Sequence, residues 1–314
     1  MNKTEKLKQL PVSLFSIIMG LGGFTIVLQR LNQSGILKLN IGLYLLWFTA
    51  LIFSLISLIY LAKLIKYPRV VQQEFANPIA INFFPSFSIA ILLLALGFAT
   101  VNQEISKILA IIGIVLHFLF TVRIISVWMF HDKFEIVHMN PAWFIPPVGN
   151  IIIPLLGSSY LPTQLLWFFF SVGIFFWFIL LVIFFNRIIF HHPLPDKLLP
   201  TKFILIAPPA VGFIAFAELT GTLNPFSYIL YYFSLFWAII LFSSIRSFLT
   251  IKFELSWWAY SFPLAAISLA SLLMTKMTGV LFFKYLTLVF AVILSVLIVY
   301  LVVRTTIAIV KKKI

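Results

Sequence analysis

Residues Ser256 to Ser271 read SWWAYSFPLAAISLAS, an almost continuously apolar run with Pro263 in its middle, directly after Phe262. Proline deletes one backbone N–H and clashes with the carbonyl four residues earlier, here that of Ala259, so it bends a helix. In lipid no water can satisfy the freed carbonyl, so such a break has to be buried in protein or lie along a wet cavity. The stretch therefore reads as a membrane span that is bent and turned away from lipid.

The composition agrees with a membrane setting. The chain has 314 residues, of which 62% are hydrophobic and 10% charged. Its mean hydropathy is +1.13. A soluble domain carries about 25% charged residues, so this is an integral membrane protein. Phe, with 36 copies, far outnumbers Gly, with 13, and there is no Cys. Disulfides, thiol chemistry and Cys-ligated metal are thereby excluded. The basic amino end, MNKTEKLKQLP, runs into an apolar stretch without a small-residue cleavage site. It reads as a retained first span and not a signal peptide.

A helix needs about 20 apolar residues to cross the hydrocarbon. Ten runs qualify: 11–29, 40–65, 80–100, 105–128, 143–160, 164–188, 202–220, 225–246, 257–275 and 280–307. The formal charge of +14 sits in short flanks between these runs, which suits a bilayer surface and not nucleic acid. Sorted onto alternate sides, Arg30, Lys38, Lys107, Lys276 and Lys284 fall on one side and the other 17 of the 22 Lys and Arg on the opposite one. By the positive-inside rule the richer side, with both termini, is cytoplasmic. An even number of spans requires this.

The prolines mark a repeat. Pro85, Pro146 with Pro147, Pro208 with Pro209, and Pro263 fall inside odd-numbered spans, 61, 62 and 55 residues apart. Even spans have none inside; Pro225 opens one, where proline is at home. The first span has Gly20, Gly22 and Gly23 in place of a proline. Five hairpins, 11–65, 80–128, 143–188, 202–246 and 257–307, fill one domain, 1–314, and self-similarity of this kind marks an array of equivalent units. The expected fold is all-α: an inner ring of five kinked odd helices around a pore and an outer ring of five even helices facing lipid.

The odd spans carry no ionisable side chain in their interiors; Lys202 and Glu218 stand at the ends of the seventh. A proton-coupled carrier would bury a carboxylate there, because such groups are expensive in a membrane and kept for function. What remains is an apolar tube with small hydroxyls, Ser13, Ser16, Ser86, Ser88, Ser261 and Ser268, and with backbone dipoles exposed at the kinks. Weak dipoles suit conduction of a small anion. Candidate pore-lining or kink residues are Gly20, Pro85, Pro146, Pro208, Ser261 and Pro263, and Phe262 is placed to plug the tube as a gate; the plain alternative for Phe262 is one core aromatic among 36. His117, mid-span on an even helix, reads as a packed histidine, and His191 with His192 as a solvated loop. Arg123 and Arg246 snorkel or pair with Glu74, Asp132, Glu135 or Glu254. No Ser/His or Asp/Asp pair supports an enzyme, and no cofactor is implied.

Three stretches carry a resemblance: LFSSIRSFLTIKFELSWWAYSFPLAA from Leu241, TVRIISVW (Thr121–Trp128) and MNPAWFIPPVGN (Met139–Asn150). They resemble the TehA and slow anion channel family, also called the tellurite-resistance/dicarboxylate transporter family, with length and short tails closest to bacterial TehA. The resemblance implies a homotrimer with a pore in each subunit, formed by five inner helices and occluded by a phenylalanine that matches Phe262. It implies passage of small inorganic anions such as chloride or nitrate across a bacterial inner membrane, and its second name keeps open a coupled carrier or exporter for dicarboxylates, sulfite or tellurite-type oxyanions. Where relatives often have a proline in the first span, this chain has Ile18 in FSIIMG.

Overall fold

A computed structural model describes residues 3–311. Lys312 and Lys313, counted among the basic flanks, lie outside the described residues, as does the side chain of Lys3. Among the described residues the chain is helical and contains no strand. Among the described residues, nine helical stretches are long and apolar enough to span a membrane: α1 Val12–Gln33, α2 Ile41–Lys66, α3 Ala80–Phe98, α4 Gln103–Phe130, α6 Thr163–Phe190, α7 Asp196–Thr220, α8 Pro225–Ser243, α9 Leu255–Thr278 and α10 Leu281–Val310. The remaining apolar stretch, α5 (Pro141–Leu156), is shorter. Short as it is, α5 has reach. Four and then eight of its residues form 3-10 helix around a single α turn of four. The 3-10 helix rises about 2.0 Å per residue against about 1.5 Å for α. Its length is therefore about 30 Å, the thickness of the hydrocarbon.

The two classes of segment differ at their starts. Each odd stretch opens as 3-10 helix and continues as α-helix, with the junctions at Leu14–Phe15, Phe83–Pro85, Phe144–Ile145, Ile206–Ala207 and Tyr260–Ser261. The even stretches α2, α4, α6, α8 and α10 are single α-helices. This corrects the expected role of the prolines. Pro85, Pro146 and Pro208 occupy the first positions of an α-helix, and Pro263 is the third residue of Ser261–Thr278. In the first turn of an α-helix proline costs that helix no i→i−4 bond of its own and its fixed φ favours the helix. These prolines mark where 3-10 gives way to α and do not interrupt the middle of an α-helix.

Burial separates the same two classes. In their most apolar windows α1, α3, α7 and α9 are 78, 83, 67 and 72% buried, while the even helices range from 11 to 44%. The odd stretches also touch one another in a closed order: α1 with α3, α3 with α5, α5 with α7, α7 with α9, and α9 back to α1. Each even helix packs on the odd stretch before it. The start of α1 meets the starts of α3 and α9, and a buried ion pair anchors it. Lys63 of α2 donates to Glu74 at 2.6 Å and to Leu10 O at 2.7 Å, and Glu74 accepts from the Val12 N–H at 2.6 Å. Glu74 is thus taken by Lys63 and not by Arg123 or Arg246. The basic flank is not wholly solvated either. Arg187 is 1% exposed and donates to the carbonyls of Ile136 and Val137.

Candidate ion path

Two cavities lie inside the odd stretches, and no residue of an even helix lines either one. The first, about 70 Å³, is bounded by the 3-10 ends, with Ser16, Phe83, Phe144, Ile204 and Trp258 among its walls. The second, about 290 Å³, opens at the other end of the same segments, with Ile26, Leu96, Leu155, Ile214 and Leu269 along it. Every odd stretch contributes to both. Three residues belong to both walls: Ile152, Val211 and Phe262. The phenylalanine is half-buried and, among the described residues, stacks on no other ring. Its Cδ2 lies 3.4 Å from where a Cβ on Gly23 would stand. Glycine there leaves room for the ring.

The other candidates divide. Pro208 and Pro263 line the smaller cavity beside Phe262. Pro85, Pro146, Gly20 and Ser261 are buried behind the lining. Gly20 lies in a helix that runs unbroken from Phe15 to Gln33, and a Cβ on it would fall 2.1 Å from Ser261 Oγ. It is a point of close approach between α1 and α9, with no kink. The expected hydroxyl lining also needs correcting. Ser88 donates to Pro85 O at 2.8 Å, Ser261 to Trp258 O and Ser268 to Leu264 O, both at 2.6 Å. In an apolar interior these hydroxyls satisfy carbonyls instead of facing the path, since an unpaired buried polar group is costly. Of the six serines singled out, only Ser16 lines a cavity.

Two arrangements were not read from the sequence. A buried polar cluster secures α5. The Thr121 hydroxyl donates to Pro146 O at 2.7 Å, and Asn150 Nδ2 donates to Pro147 O at 2.8 Å. His117 Nδ1 lies 2.9 Å from Ser88 Oγ, and its ring rests on Gly149, which a side chain at that position would strike. This is a packed histidine, and among the described residues no group of three His, Cys, Asp or Glu could hold a metal. The second arrangement is the rim of the larger cavity, where Arg30, Glu218 and Lys276 converge from α1, α7 and α9. Each was legible as a charge at a span end. Their convergence depends on how three helix ends pack, for which no local pattern exists.

The sequence of residues 9–306 matches the SLAC1 family, described as voltage-dependent anion channel. The chain belongs to the SLAC1 family. An uncharacterized transporter of Methanocaldococcus jannaschii, MJ0762, is 29% identical over 299 residues, covering 87% of this chain and 87% of that protein. The S-type anion channel SLAH3 of Arabidopsis thaliana is 31% identical over 269 residues, 83% of this chain but 42% of the plant protein. The guard cell S-type anion channel SLAC1 of the same plant is 25% identical over 276 residues, 85% of this chain and half of the plant protein. SLAC1 relatives are anion channels and transporters and not enzymes, and the helical architecture here is that of a multi-pass membrane protein.

Proposed function

We propose that the chain is a channel for small monovalent anions, chloride and nitrate among them, and that Phe262 is its gate. The odd stretches form an inner ring around the path, the even helices form an outer ring against lipid, and the pairs repeat as five hairpins. Both termini face the cytoplasm, as the sorting of basic residues suggests, and three copies assemble with a path in each, as the resemblance to TehA suggests. The observation that carries this reading is the placement of Phe262. It belongs to the wall of both cavities and, among the described residues, stacks on no other ring. A ring between the two cavities, the smaller of which has apolar walls, blocks the passage of a hydrated ion by size and by dewetting.

Phe262→Ala tests the gate. The side chain is half-buried and lines both cavities, so its removal costs less packing than that of a fully buried ring and leaves the fold intact, and planar-bilayer currents in nitrate rise sharply over the parent. Phe262→Leu, with a smaller apolar plug, falls between them. A core aromatic would behave otherwise, costing about 3–5 kcal/mol on truncation. A well-folded Phe262→Ala protein with the parent's current would end the gate reading. One observation favours the carrier alternative: Glu218 puts a carboxylate on a cavity wall. Currents that reverse at the nitrate equilibrium potential and ignore a proton gradient speak against coupling. A flux that follows the proton gradient would establish it.

A further inference from the structure

The larger cavity ends in three charged side chains, Arg30, Glu218 and Lys276, and all three are solvent-exposed at its mouth. None is within ion-pair distance of another, because the ion pairs among the described residues are Lys63–Glu74 and Glu104–Lys107. The rim therefore carries two unneutralised cations and one unneutralised carboxylate, a net charge of +1. Local helix energetics accounts for the cations. Both stand in the last turn of a helix, where the macrodipole favours positive charge. It does not account for Glu218, which occupies the last turn of Ala207–Thr220, where the same dipole disfavours a carboxylate. Arg30 is held at the mouth by donating to Gln33 Oε1 at 3.1 Å. Glu218 Oε1 stands 3.5 Å from where a Cβ on Gly157 would be, so the loop after α5 leaves the carboxylate room.

We propose that this rim is a weak anion-binding site selective for monovalent anions, and that Glu218 sets the selectivity by holding its charge at +1. The inference rests on the channel reading and names the ion filter of that same path. One monovalent anion neutralises the rim. A dianion such as sulfate overshoots to a net −1 and faces the carboxylate, a like-charge contact in a cleft whose apolar walls focus the field. Because the three groups are exposed, the site is shallow, and a bound ion leaves readily. Screening by salt shortens its reach to about 10 Å at 0.1 M and about 3 Å at 1 M.

The test uses full-length protein in planar bilayers, with Phe262→Ala as background and nitrate and sulfate as probes. Glu218→Gln raises the rim to +2, and the sulfate-to-nitrate permeability ratio rises about threefold to tenfold at 0.05 M salt and returns toward the background at 1 M. Lys276→Gln lowers the rim to zero and reduces nitrate current at low salt while sparing it at high salt. Glu104→Gln, an exposed carboxylate outside the cavity, leaves the ratio unchanged. An unchanged ratio in Glu218→Gln, or an equal rise in Glu104→Gln, overturns the assignment. Should Glu218→Gln fail to fold, the Lys276→Gln arm decides. A second readout separates the two readings: melting of the detergent-solubilised parent in nitrate against gluconate at constant ionic strength. If no variant conducts, the channel reading falls; nitrate stabilisation lost in Lys276→Gln still supports the rim site, and stabilisation equal in both proteins removes it.

Discussion

Gly20 and Ser261 touch because one of them lacks a side chain. The Cβ of an alanine at position 20 would stand 2.1 Å from Ser261 Oγ and 2.9 Å from both Ser261 Cβ and Trp258 Cε3, all on α9. Gly20→Ala therefore destabilises the protein by about 1–3 kcal/mol through overpacking, read as a lower melting temperature in detergent. Ser261→Ala in the same molecule removes the nearest of the three atoms, so the double variant is less destabilised than the two single changes added together, by about 0.5–3 kcal/mol. Additivity of the two would place the strain elsewhere. The sequence marked both residues for the wrong reason. A glycine in an apolar run reads equally as a kink or as a close approach, and only the neighbouring helix decides which. The place of Phe262 on the cavity walls was legible because its proline belongs to a periodic set. Arg30, Glu218 and Lys276 were not legible as a group, because they lie on three segments with well over a hundred residues between the first two.

At the scale of the element, α5 is the least regular and the most supported. Twelve of its sixteen residues are 3-10, with poorer hydrogen-bond geometry than an α-helix, and Pro146 and Pro147 supply no N–H. Thr121 and Asn150 bring donors to those prolines' carbonyls at 2.7 and 2.8 Å. Thr121→Val keeps the shape and removes the donor, leaving Pro146 O buried without this bond. The expected loss is about 1–3 kcal/mol in detergent unfolding, while Thr306→Val, exposed on α10, changes stability by less than about 0.5 kcal/mol. Equal effects would remove the support role. Span positions were readable to within a few residues because apolar length is a direct physical requirement. The 3-10 openings were not, since proline at a first turn and proline at a kink look alike in sequence.

For the whole molecule, the division into buried odd and exposed even segments gives an accessibility pattern. In the Phe262→Ala background, Ile152→Cys and Ala265→Cys, on cavity walls, react within minutes with a small charged thiosulfonate. Leu55→Cys and Val182→Cys, 47 and 70% exposed on α2 and α6, stay unlabelled if the even helices face lipid as proposed, because thiolate does not form there. The native chain has no cysteine to confuse the result. Equal labelling of both pairs would dissolve the two-ring arrangement. The even helices are also uneven in length. They have 26, 28, 28, 19 and 30 residues in chain order, so at about 1.5 Å per residue α8 reaches about 28 Å and α10 about 45 Å. A hydrocarbon layer about 30 Å thick matches α8 upright, whereas its companions must tilt or project beyond it. When the membrane thickens, the mismatch arises first along α8, and the lipids beside that helix must thin to meet it.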